Sequence, residues 1–319
     1  MLSLALFFAL TMAAGAQVRG PIMGYLPEKG ALRILYGIPG AGSVSAPQLT
    51  DRTLALLEVS PDQTRALAIA ADTGALMSLT PGAVSTALIA GAGPAADRIT
   101  FSPNGTAAAL WFSAAHHVQV VSRLSATPSV RDFDVSSLGA DPLSLAVSDD
   151  GQWVAGAWSD RVYAIGPGGN VSILPVDGPA EAVCFFHGRA DVAVITVKQV
   201  VIVANIDGAA VPSVLWTRPS DSPPPDPATP LEVALGFATS FDNRYLTIAG
   251  SLSHLATFDL VAGTSIGGDC ACLPKGLFGM GGSLFRLTGL TDGAVKLFDA
   301  STNEVWLVPL AAPTEGAQQ

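Results

Sequence analysis

A short turn recurs along this chain, and its spacing constrains the fold more than any other feature. An apolar run leads into a Ser-Pro-Asp-like reversal, and a second apolar run follows. The clear copies are residues 56–62 (Leu-Leu-Glu-Val-Ser-Pro-Asp), 99–105 (Ile-Thr-Phe-Ser-Pro-Asn-Gly) and 145–151 (Leu-Ala-Val-Ser-Asp-Asp-Gly). Weaker copies occupy 185–189, 239–244 and 278–282. Centred on Asp62, Asn104, Asp150, Gly188, Asp242 and Gly282, they recur every 44 residues or so, and the one long interval carries a Pro-rich tract at 219–230. A fixed period of this length signals a repeat architecture.

Within one period the apolar runs are strand-sized. Residues 144–148, 153–159, 161–165 and 171–176 are four such runs, separated by Asp, Gly and Pro where the chain must reverse. No window sustains the i, i+3, i+4, i+7 spacing of an amphipathic helix, and Gly or Pro interrupts nearly every ten residues. Aromatic and β-branched residues concentrate in the runs. Four short antiparallel strands per period describe a blade of a β-propeller, so the fold class is all-β.

Composition agrees. Apolar residues make up 49% of the 319-residue chain and charged residues only 13%, about half the usual share near 25%. A blade packs both faces against its neighbours, so its strands need few charges. Disorder is excluded by the same numbers. A net charge of −10 and a pI near 4.7 argue against nucleic acid as a partner, because phosphate recognition needs a basic footprint.

Residues 1–16, MLSLALFFALTMAAGA, have an apolar stretch followed by an Ala-x-Ala site, with no Lys or Arg ahead of it. This reads as a secretory leader cleaved before Gln17. No later stretch is long and apolar enough to span a bilayer; the nearest, 192–204, is interrupted by Lys198 and Gln199. The expected organisation is a leader at 1–16, one propeller domain at 17–311 and a disordered tail at 312–319, with the protein periplasmic or extracellular.

Phe101-Ser102-Pro103-Asn104-Gly105 resembles the first-strand turn of WD-repeat-like propellers, including the TolB-type and YVTN-type bacterial repeats. Residues 294–302 resemble the third strand of such a blade, with Phe298 where Trp is usual, and 256–260 are a weaker version. The resemblance covers nearly all of the chain after the leader. It implies the fold and leaves the activity open, since propellers host binding modules, lactonases and electron-transfer enzymes. Length after the leader predicts seven blades, with six plus an extra hairpin as the alternative. Only six turns are visible, so 22–26 and 32–38 read as the third and fourth strands of an incomplete N-terminal blade. Ring closure is expected near 305–310.

Candidate chemistry is sparse. The three cysteines are Cys184, Cys270 and Cys272. Cys270-Ala271-Cys272 lies in a Gly- and Pro-flanked loop and is the pair expected to be oxidised as a loop staple, provided Ala271 bends the chain. Cys184 reads as a buried free thiol. His116-His117, His187 and His254 fall in predicted turns, without partners visible in sequence. Asp149-Asp150 is either a turn or a weak cation site. Gly279–Ser283 does not open a helix and cannot cradle phosphate in that way. Asn104 and Asn170 match the glycosylation sequon and read as turn residues. No nucleophile elbow, zinc-protease motif or phosphate loop is present, and neither cofactor, metal nor catalytic residue is expected. Two functions compete: a non-enzymatic module binding a protein or small molecule on a propeller face, and a lactonase or other hydrolase with a site at the channel mouth. Three or more charged or His side chains converging on one mouth would favour the enzyme.

Overall fold

The computed structural model describes residues 20–28, 30–83, 85–217, 233–290 and 293–310. The expected leader, the Pro-rich tract and the expected tail lie outside them. The described residues form seven four-stranded antiparallel sheets, successive along the chain. Helical structure among them is confined to short turns of the 3-10 type, such as Ser113–Ala115 and Ser136–Leu138. The first strands of blades 1 to 7 are Ile22–Glu28, Leu54–Val59, Arg98–Phe101, Ser144–Val147, Ala180–Phe185, Ala234–Thr239 and Phe278–Gly279. These are the innermost strands of the ring.

The recurring turn has one hydrogen-bond arrangement, repeated four times. In blades 2, 3, 4 and 6 a buried serine (Ser60, Ser102, Ser148, Ser240) donates its hydroxyl to the Asp or Asn two residues on, at 2.5–3.1 Å. The same oxygen accepts the backbone N–H five residues on. The Asp or Asn in turn accepts the N–H two residues beyond itself. These short polar side chains satisfy backbone donors that the reversal would otherwise strand. The next residue must adopt positive φ, and it is Gln63, Gly105, Gly151 or Asn243, chiefly the types that tolerate it.

Between each neighbouring pair of blades lies one apolar cluster. Val183 and Phe185 face back to blade 4, while Ala182 and Cys184 face forward to blade 6. This is the period-two alternation of a strand buried on both faces, and it explains how so apolar a chain hides its strands.

Blade 1 departs from the sequence reading. Ile22–Glu28 and Ala31–Ile38 are its first and second strands, not its third and fourth. Glu28 at the end of the first pairs directly with Ala31 at the start of the second, so no Ser-Pro-Asp copy marks the reversal. Two short strands, Ala41–Val44 and Gln48–Leu49, share the third position, each pairing with half of the second strand. Closure does fall where expected. Val44 makes a parallel bridge to Leu310, and an added Cβ at Gly42 would lie 3.3 Å from Val308. The Gln63 side chain from blade 2 clamps the seam: its Oε1 accepts the N–H of Tyr25 in blade 1, and its Nε2 donates to the carbonyl of Gly279 in blade 7.

Candidate functional site

The inner strands of blades 2 to 7 enclose a central channel with a cavity of about 490 Å³. The first residue of each turn sets a common register. Two residues before it, the wall carries Glu58, Thr100, Ala146, Cys184, Ala238 and Phe278 in turn. Most of this layer is small, which leaves space at the axis. Toward the strand starts, Gly236 and Gly276 carry no side chain, and Gly236 is packed so closely that a Cβ would clash with the backbone N of Leu277.

Three charged side chains line the channel: Glu58, Arg98 and Lys275. Arg98 and Lys275 stand at the strand-start mouth beside exposed Leu143 and Leu235. Arg98 Nη1 donates to the carbonyl of Pro142 at 3.2 Å. Glu58 lies deeper, and among the described residues its carboxyl has no hydrogen bond and no ion pair. Burial pushes its pKa up to about 7, against the opposing pull of Arg286. Arg286, on the second strand of blade 7, is buried. Its guanidinium lies 4.1 Å from the centre of the Phe278 ring, and Nη1 donates to the Thr288 carbonyl at 3.1 Å. Burial lowers its pKa, while the charge of Glu58 raises it. Among the described residues no histidine lines the channel. One mouth therefore gathers Arg98 and Lys275 with Leu143 and Leu235.

The opposite face is a belt of turn contacts. Asp149 accepts the N–H of Asn104 from blade 3 at 2.8 Å and that of Gly188 from blade 5 at 2.7 Å, and it pairs with His187 Nδ1 at 2.9 Å. His187 stacks on Phe241, ring centres 4.3 Å apart, and its backbone is held at both N–H and C=O by Asn243 of blade 6. These groups, which sequence left as turn residues or a weak cation site, hold blades 3 to 6 in register. Asp150 serves its own turn. Among the described residues no group of three or more metal-ligating side chains forms.

The remaining candidates scatter. His117 Nε2 lies 2.8 Å from Asp132 on the neighbouring strand, and His116 Nδ1 lies 3.8 Å from Asp141. His254 opens the third strand of blade 6. Cys270 and Cys272 are joined, with Cα atoms 5.1 Å apart and Ala271 bent to φ 45°. Lys296 donates to the carbonyls of Cys270 and Ala271. Cys184 is a buried free thiol on the channel wall, its pKa driven far up by burial. None of these except Cys184 reaches the channel. Glu58 and Arg286 were missed because each sits inside an apolar run. Aligning the repeats on their turns would have found Glu58, the one acid among six register equivalents.

No family model and no curated protein matches the chain. Its fold is similar to that of apo AztD from Citrobacter koseri, at 10% identity and TM-score 0.55, covering 90% of this chain and 94% of that one. Virginiamycin B lyase from Staphylococcus aureus aligns at 10% identity and TM-score 0.55, over 81% and 84% of the two chains. A functionally unknown protein from Desulfotomaculum acetoxidans aligns at 11% and 0.54, over 90% and 99%. At these identities the likeness extends to the propeller fold alone.

Proposed function

We propose that this chain is an exported, non-enzymatic binding module of the TolB/YVTN-like kind that takes a small ligand into its central channel. The observation that carries the reading is the channel itself: a concave, small-residue-walled cavity with a few placed charges, the usual make-up of a ligand site. Export rests on the leader-like residues 1–16, and a mature N-terminus at Gln17 by mass spectrometry is its check.

One observation supports the second reading, a propeller hydrolase or lyase. A carboxyl poised near pH 7 is what a general base requires, and one structural neighbour carries the name of a lyase. Against it, among the described residues Glu58 has no hydrogen-bond partner that would orient it, and no nucleophile–base pair lines the cavity.

Incubating the purified protein with an extract of the cell envelope separates the two. A binder retains compounds at a stoichiometry near one and leaves their structures unchanged. Conversion of many equivalents per protein would establish the enzyme, and retention of nothing would overturn the channel-binding reading.

A further inference from the structure

Resting on that channel-binding reading, we propose that the ligand is a short zwitterionic peptide. Its free ammonium group sits at Glu58, and its carboxylate lies between Arg98 and Lys275 at the strand-start mouth.

Glu58 points to the ammonium group. Glu58 is half-buried and faces the cavity, where a carboxyl shielded from bulk water gains from a donor. The protein supplies none among the described residues: Arg286 is turned onto Phe278 and the Thr288 carbonyl. Nor does the fold need an acid there, since the register equivalents in blades 3 to 7 are Thr100, Ala146, Cys184, Ala238 and Phe278. An acid kept at one position of six, unpaired and facing a cavity, is explained by a partner that arrives from outside.

The mouth points to the carboxylate. The chain carries a net charge of −10, yet the two charged side chains that line the cavity at this mouth, Arg98 and Lys275, are cationic; an acid on the same strand-start rim, Glu181, already accepts the Ala234 N–H. A low-dielectric channel focuses such a field and attracts anions. A simple cation would be repelled on the way in, and a simple anion would leave Glu58 unsatisfied. A molecule bearing both charges meets both ends.

Spacing sets the length. Arg98 lies two residues before the Glu58 layer and Lys275 three, which at about 3.3 Å per residue is roughly 7–10 Å along the axis. An extended peptide advances about 3.3–3.6 Å per residue, so two or three residues separate the termini. Exposed Leu143 and Leu235 offer apolar contact to the C-terminal side chain.

Calorimetry at pH 8 with tri-alanine, its N-acetyl form and its C-terminal amide tests the proposal. Tri-alanine is expected to bind, and capping either end should weaken it at least tenfold. Glu58→Gln should weaken tri-alanine tenfold or more and leave the N-acetyl peptide unchanged. Arg98→Gln should weaken tri-alanine and leave the amide unchanged, a crossed pattern that general loss of fold cannot produce. Equal affinity for all three peptides, or insensitivity to both variants, would overturn the assignment of ends. Absence of binding by any of them would overturn the peptide while retention from the envelope extract still stood, so the two proposals fail separately.

Discussion

At the scale of single residues, the buried turn serine shows how little side chain is needed to set a repeat. Ser148 Oγ both donates to Asp150 and accepts from the Trp153 N–H. Ser148→Ala leaves that N–H without its partner and should cost about 1–3 kcal/mol, read as a lower urea midpoint with unchanged slope. Glu58 acts in the opposite sense. Its pKa rises on folding from 4.5 to about 7, so the folded state holds the proton more tightly. Its effect on stability is therefore harmless below pH 4.5, and stability falls as pH rises toward 7. Glu58→Gln removes this loss. The variant should exceed the parent by roughly 1–3 kcal/mol at pH 8 and match it near pH 4, as thermal melts across that range will show. A residue that weakens the fold at neutral pH is the kind retained for function.

At the scale of elements, the blades differ in how they announce themselves. Blades 2, 3 and 4 were legible because the serine turn is local chemistry, complete within six residues. Blades 5 and 7 were faint because Phe186 and Met280 replace that serine, leaving mainly the backbone bonds Phe186 to Asp191 and Met280 to Leu284. Blade 1 was misread because its first two strands, with Glu28 paired directly to Ala31, carry no such turn. Its position is set instead by long-range contacts, of which Gln63 is the most exposed to test. Gln63→Ala removes hydrogen bonds to blades 1 and 7 and should cost about 1–3 kcal/mol, with limited proteolysis beginning in blade 1. The Cys270–Cys272 link is a different kind of element. It closes too small a loop for a large entropic effect, less than the roughly 3 kcal/mol of a 15-residue loop. Thiol counting in denaturant should find one free thiol, mapped to Cys184, and three after reduction. Reduction should shift the unfolding midpoint little.

At the scale of the whole molecule, the fold was legible and the candidate site was not, for one reason. A turn repeats in sequence, whereas a channel is assembled from one strand of each of six blades. Glu58 and Lys275 share the cavity wall from distant parts of the chain, and no local pattern links them. Low charge has the same origin: with an apolar cluster between every pair of blades, the charges that remain near the axis are those the fold does not require. The proposed place of action is the channel. Ala238 lies on its wall in the layer where blade 7 carries Phe278, so Ala238→Phe narrows the cavity with a side chain that layer already accommodates. Native mass spectrometry of parent and variant, both taken from envelope extract, should show a small-molecule adduct on the parent and none on the variant. The same adduct on both, with the variant folded, would place binding elsewhere and contradict the account.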